Sequence, residues 1–128
     1  NKSELLQGFF VKYGDGGVDM EPIAHLYKTQ VFQLSEFLCV PEEIITRTPS
    51  PDTWSAGVSD EEFYFRLPYD QLDLLLYAHE QEIPIEDVSK ILDMAPEKIL
   101  RFYKDFDSKN KATWHLRVMP PNLMYQGK

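Results

Sequence analysis

The chain has 128 residues, enough for one domain with its own core, and its 43% hydrophobic content sets it apart from disordered chains. Its 13 Lys and Arg against 21 Asp and Glu leave a net charge of −8, which excludes a sequence-independent polyphosphate-binding surface, because counterion release requires many cations in one place. No apolar run approaches the roughly 20 residues a membrane span needs, no cationic leader precedes a short apolar stretch, and the lone Cys39 excludes an intrachain disulfide.

We therefore expect a soluble, cytoplasmic protein that binds neither membrane nor nucleic acid, with Cys39 a buried structural thiol between Leu38 and Val40. The first seven residues are helix-compatible, with Ser3 as cap and Glu4 in the first turn, where a carboxylate meets the helix dipole favourably. They look like the inside of a helix already under way, which predicts a piece of something larger. Gly8 to Lys12 is an apolar run that reads as a strand, and it breaks at the turn Gly14-Asp15-Gly16-Gly17. Pro22 then opens a helix to about Leu38, since its fixed φ suits a first helical position. Ile23, Leu26, Tyr27, Val31, Leu34, Phe37 and Leu38 recur at helical spacing and predict one buried stripe, with Lys28 well off it and His25 nearly opposite.

Val40-Pro41 ends that helix and starts a shorter one over Glu42, Glu43, Ile44 and Ile45, because the residue before proline is pushed out of the α region. Residues 47–62 combine Pro49, Pro51, Gly57 and several Ser, Thr and Asp, too long for a simple connection and anchored by Trp54 if ordered. Pro68 opens a second strong helix with Leu72, Leu75, Leu76 and a half-buried His79 on one face. From Pro84 a segment carries Val88, Ile91 and Leu92, pauses near Asp93-Met94-Ala95 and resumes with Ile99, Leu100, Tyr103 and Phe106, which predicts two short helices. A polar and basic stretch from Asp107 to Lys111 and a surface strap from Thr113 follow. The fold class expected from these elements is mostly α with one or two short strands.

The chemistry-bearing residues are few. The Gly-Asp-Gly-Gly turn is most simply a chain reversal, although Asp15, Asp19, Glu21 and Lys28 leave charges near backbone N–H groups that suit an anionic ligand. Glu4 is most simply a first-turn charge, and a single carboxylate is also what Mg²⁺ often takes from a protein. His25, His79 and His115 lack zinc-motif spacing, and no Cys/His or Ser/His arrangement suggests a nucleophile. A rival reading makes the helix pair around Asp93 to Ala95 a helix-turn-helix with Lys98, Arg101 and Lys104 on one face. Glu86, Asp87, Asp93, Glu97 and Asp105 oppose it.

Taken in order, Asn1-Lys2-Ser3-Glu4, Gly8-Phe9-Phe10-Val11-Lys12-Tyr13-Gly14-Asp15-Gly16-Gly17-Val18-Asp19, Pro22-Ile23 and Leu26-Tyr27-Lys28-Thr29-Gln30-Val31 strongly resemble the bacterial NAD synthetases. So do Val40-Pro41-Glu42-Glu43-Ile44-Ile45, Pro49-Ser50, Asp52, Trp54, Ser59-Asp60-Glu61 and Pro68-Tyr69. The resemblance implies ATP-dependent amidation of deamido-NAD through an adenylated intermediate, giving NAD, AMP and pyrophosphate, with ammonia free or derived from glutamine. By position, Glu4 resembles the Mg²⁺ ligand, Lys12 and Asp19 resemble deamido-NAD contacts with Asp15 beside them, Lys28 and Ser50 resemble ATP contacts with Lys28 the catalytic cation, and His115 matches a histidine that contacts the dinucleotide.

Three positions depart from the family pattern: Leu116 where Lys often follows the histidine, Val58 where Gln is common, and Pro51 where Ala is common. The family's Ser-Gly-Gly-x-Asp-Ser loop for ATP pyrophosphate occurs nowhere in the chain. Residues 1–128 therefore resemble a single C-terminal portion of the synthetase domain, half of an α/β adenine-nucleotide α-hydrolase-like (Rossmann-like) fold that is a homodimer when intact. The isolated portion is expected to be inactive. The alternative is a non-catalytic binding or regulatory module that uses the helix-turn-helix-like pair.

Overall fold

The computed structural model describes residues 1–14, 16–50 and 57–121. Among them are six α-helices: α1 (Lys2–Gln7), α2 (Lys28–Phe37), α3 (Glu42–Ile45), α4 (Tyr69–Glu80), α5 (Ile85–Leu92) and α6 (Pro96–Ala112). A π-helical turn spans Glu61–Phe65 and a 3₁₀ turn Trp114–Leu116. No described helix is long and apolar enough to cross a membrane.

Proline sets several of these starts. Pro41, Pro68 and Pro84 each occupy the N-cap of the helix that follows, and Pro96 is the first residue of α6, positions where a missing N–H costs no intrahelical bond. α4 lies at the centre, packed against α1, α2, α5 and α6. Leu72, Leu75 and Leu76 are buried as the periodicity predicts, Tyr69 and Ala78 join them, and this face meets Val88, Met94, Ile99, Tyr103 and Phe106 from α5, α6 and the turn between them. His79 is half-buried as expected, its ring stacked on Tyr103 at 4.4 Å and its Nε2 2.9 Å from Asp107 Oδ1. The two helices after Pro84 are present and turn at Asp93 in the left-handed conformation, but the second runs 17 residues rather than being short. Its polar end stays helical because Lys109 pairs with Asp105 at 2.6 Å, one turn back, and covers the Tyr64 ring at 4.6 Å.

The strand expected at Gly8 to Lys12 is absent, and no strand occurs among the described residues. A lone strand has no partner for its backbone groups. The apolar run is used instead as a side-chain anchor, with Phe9 stacked on Tyr64 at 4.6 Å and edge-on to Phe65 at 5.2 Å. Gly8 ends α1 with φ 71°, and a Cβ there would lie 2.1 Å from Thr113 Oγ1, so both conformation and contact require glycine. The glycine turn behaves as read: Gly14 and Gly16 N–H groups both donate to Val11 O, at 3.1 and 2.9 Å.

Three further expectations are corrected. Ser3 is not the cap of α1: Asn1 Oδ1 accepts from the Glu4 N–H at 3.2 Å, and Ser3 is buried within the first turn. The helix expected from Pro22 begins only at Lys28, residues 22–25 forming isolated turns, and no residue of α2 is fully buried. Phe37 is 81% exposed at its end; among the described elements α2 packs mainly on α3 and α4, and another side of it lines an open cleft. Cys39 is exposed, not a buried thiol. It takes the left-handed position (φ 55°) of a helix-ending turn in which Val40 N–H donates to Ser35 O and Cys39 N–H to Glu36 O, each at 3.0 Å. That geometry swings residue 39 out to solvent.

Candidate functional site

A cleft of about 860 Å³ opens between α1, α2 and the segment after α3. Glu4 and Lys28 stand in its wall, Phe9, Val31 and Phe32 make it apolar, and Arg47 and Ser50 form its lip. Glu4 is in the first turn of α1 and Lys28 is the first residue of α2; residues 24 apart in sequence meet where the two helices begin, with Lys28 Nζ 3.4 Å from Glu4 Oε1. Both side chains are largely but not wholly buried, a setting in which a cation and a carboxylate keep an appreciable part of their attraction. The ammonium also sits 5.6 Å from the Tyr69 ring centroid and 5.9 Å from that of Phe32, two aromatic faces that favour a cation.

The floor beside Lys28 is built from buried oxygens. Tyr69 OH donates to Asp60 Oδ2 at 3.4 Å, and the Tyr69 N–H donates to Glu61 Oε1 at 2.8 Å. Burial first, and then the nearby charges of Asp60 and Glu4, push the Tyr69 phenol far above its ordinary range, so it is held as a neutral donor. Across the cleft mouth, Asp60 N–H donates to Pro49 O at 3.1 Å, tying the described ends of the 47–62 segment together next to Ser50.

Of the residues singled out by sequence, Glu4, Lys28 and Ser50 converge on this cleft. Lys12 and His115 converge elsewhere: Lys12 Nζ donates to the carbonyl of His115 at 2.7 Å and to that of Val118, so the C-terminal strap is latched to the glycine turn. The His115 side chain is exposed in the 3₁₀ turn. Asp19 is exposed with neither group, although its neighbours Val18 and Met20 line a smaller cleft of about 260 Å³ that Glu4 also borders. Asp15 and Trp54 lie outside the described residues. Among the described residues no group of three or more His, Cys, Asp and Glu can hold a metal ion, so Glu4 offers one carboxylate and no cage.

Two residues to which sequence reasoning gave no role at the site, Ser3 and Asp73, support the pair. Ser3 Oγ donates to Asp73 Oδ1 at 2.6 Å and accepts from the Lys28 N–H at 3.0 Å, and the Thr29 N–H donates to Asp73 Oδ2 at 2.8 Å. The sequence did carry a signal for Asp73, a charged residue set among Tyr69, Leu72 and Leu76 on the apolar face of α4. Ser3 carried none, since serine in a first helical turn is ordinary.

A sequence model of the family described as NAD synthase matches residues 1–117. The NH₃-dependent NAD⁺ synthetase of Rhizobium rhizogenes is 48% identical over 120 residues, covering 94% of this chain and 36% of that protein. The protein of the same name from Sulfurisphaera tokodaii is 36% identical over 129 residues, covering 100% of this chain and 44% of that protein. A third, from Coprothermobacter proteolyticus, is 50% identical over 91 residues, 71% of this chain and 30% of that protein. The chain thus spans less than half the length of these relatives and aligns with their C-terminal part. A match that continues from the first helix through the 3₁₀ turn is too long for a borrowed motif, and the chain belongs to the NAD synthase family.

Proposed function

We propose that this chain is the C-terminal, ligand-contacting portion of a cytoplasmic, homodimeric NAD synthetase with a Rossmann-like parent fold, which converts deamido-NAD, ATP and ammonia to NAD, AMP and pyrophosphate. The observation that carries the proposal is the Glu4–Lys28 pair in the wall of the large cleft with Ser50 at its lip. A cation for phosphate oxygens, a carboxylate for a divalent ion and a hydroxyl donor are what a nucleoside triphosphate requires.

A carboxylate is a poor electrophile. Its oxygen attacks the α-phosphorus of ATP and the bond to pyrophosphate breaks, giving an acyl adenylate. Ammonia, free or delivered from glutamine, then attacks the acyl carbon, and the C–O bond to AMP breaks as the nitrogen loses a proton. Lys28 supplies positive charge where the phosphoryl oxygens gain negative charge, and the Tyr69 and Phe32 rings hold the ammonium in place. Ser50 donates from the lip. Lys12, Asp15, Asp19 and His115 contact deamido-NAD, with the Lys12 latch fixing the backbone that carries His115. Glu4 fits Mg²⁺ as one ligand among phosphate and water oxygens, because that ion often takes only one or two protein carboxylates. Bound there, Mg²⁺ would neutralise phosphate charge.

The chain has no Ser-Gly-Gly-x-Asp-Ser loop, so the 128 residues alone should form no NAD. The test is NAD formation from deamido-NAD, MgATP and ammonia by the protein as its gene encodes it, compared with the 128-residue chain. Activity in the first, lost by about 10²-fold or more in Lys28→Ala, and none in the second is the expected result. NAD formation by the 128 residues alone would overturn the requirement for the missing loop.

A further inference from the structure

α2 opens with the wrong charge. A helix N-terminus carries partial positive charge and unpaired N–H groups, yet the first residue of α2 is Lys28, and the Tyr27 side chain supplies no cap bond. Gln30 of α2 itself takes the Tyr27 N–H at 2.9 Å, but the first two helical N–H groups are capped from two other helices. Lys28 N–H is taken by Ser3 of α1 and Thr29 N–H by Asp73 of α4, and both capping side chains are buried, Ser3 at 0% and Asp73 at 4% exposure.

The bridge between them fixes its own direction. An ionised carboxylate only accepts, so the single Ser3 hydroxyl proton goes to Asp73 and a lone pair is left facing Lys28. One carboxylate therefore sets the backbone of Lys28-Thr29 directly, and through Ser3 it sets the turn of α1 that bears Glu4. Burying a charge between Leu72 and Leu76 is costly compared with an apolar side chain of similar size. A cap that merely joined helices would not need it. What it provides is a directional tie between the two helices that carry a cation and a carboxylate, and reactive centres require such groups to be held in place by supporting hydrogen bonds.

We propose that Asp73 is a positioning residue for the phosphate chemistry: acting through Ser3 and the start of α2, it holds Lys28 and Glu4 in register with each other in the cleft wall, a role that rests on the nucleotide-contacting assignment of those two residues above. Asp73 itself lines none of the clefts that Glu4 and Lys28 border.

The test uses the full protein with Asp73→Asn, Ser3→Ala and Lys28→Ala, alone and combined, each confirmed folded by circular dichroism. Asp73→Asn and Ser3→Ala are expected to raise KM for MgATP by about fivefold or more while KM for deamido-NAD stays within about twofold. Adding either change to Lys28→Ala should cost less than about threefold further, the part carried through Glu4, because the part carried through Lys28 is already lost. Loss of activity in Lys28→Ala with unchanged kcat/KM in Asp73→Asn and Ser3→Ala would overturn the positioning role and leave the nucleotide assignment standing, and so would losses that multiply in the double variants. Full activity in Lys28→Ala would overturn both. If Asp73→Asn fails to fold, Ser3→Ala carries the same comparison, since it removes the bridge and leaves the Thr29 bond intact.

Discussion

The α4–α6 side and the α1–α2 side of the molecule are held by different forces. Around α4, buried Leu72, Leu75, Ile99 and Phe106 interlock, and the only buried charge on that helix, Asp73, points back toward α1 and α2. Within α2 no residue is buried, Phe37, Leu38 and Ile44 at its end and beyond are exposed, and the helix is fixed at its start by Ser3 and Asp73. Apolar packing is tolerant of small shifts and supplies stability. Hydrogen bonds to buried groups are directional and supply placement. The side with less core is the one that lines the large cleft.

The sharpest way to break this contrast is to remove comparable side chains from both sides. Leu75→Ala, at a position with no exposure, should destabilise by about 2–5 kcal/mol in urea unfolding. Phe37→Ala deletes a larger side chain that is 81% exposed, and it should change stability by no more than about 0.5 kcal/mol. Equal effects would mean that α2 carries as much of the core as α4. Between these lies Gly8→Ala, expected to cost about 2 kcal/mol, since the added methyl meets the left-handed penalty as well as Thr113.

Titration next probes the two ends of α4, each of which meets the α1–α2 side. Tyr69 beside Lys28 has its phenol pushed up, by burial first and then by Asp60. A raised pKa contributes stability fully present below the unfolded value, near pH 10, and lost as pH rises beyond it. Thermal midpoints should therefore fall above about pH 10, and Tyr69→Phe should flatten that fall. Glu80, at the end of α4, behaves oppositely. Burial alone would raise its carboxyl, but hydrogen bonds from Lys2 and Tyr27 and the Lys2 charge outweigh it and hold it low. Its contribution is present above the unfolded value and disappears as pH falls through the lowered one, so Glu80→Gln should reduce the slope below about pH 4.5. A wild-type slope in either variant would show that the group does not titrate as its surroundings dictate.

The same contrast explains what could be read from sequence. α4, α5 and α6 were legible because their signals are local: a proline at each start, apolar residues three and four apart, and a pause at Asp93 to Ala95. α2 was not, because the groups that define its start are 25 and 44 residues away, and an apolar periodicity from Ile23 to Leu38 carries no mark of which turns lack a partner. Phe9 and Phe10 suggested a strand for the same reason, since apolar character specifies burial but not the element that achieves it. For the site, Glu4, Lys28 and Ser50 came from resemblance to a family and meet in one cleft. Lys12 came by the same route, and its bonds to the carbonyls of His115 and Val118 depend on a strap more than 100 residues distant.

A small expected effect of the opposite sign tests the α2 side alone. Cys39 occupies the left-handed position that ends α2, where a side chain bearing a Cβ costs roughly 1–2 kcal/mol relative to glycine. Glycine also loses more freedom on folding, which returns roughly 0.5–1 kcal/mol of that gain. Cys39→Gly should therefore stabilise by a few tenths to about 1 kcal/mol, whereas a cysteine packed in a core would leave a cavity when replaced and the sign would reverse. The exposed thiol should also react with iodoacetamide in the 128-residue chain without unfolding. If the same thiol is protected in the full protein while Cys39→Gly remains stabilising, the open edge of α2 and α3 is covered there by polypeptide outside these residues. The helix with the least core of its own would then owe its burial to the rest of the protein and its placement to Asp73.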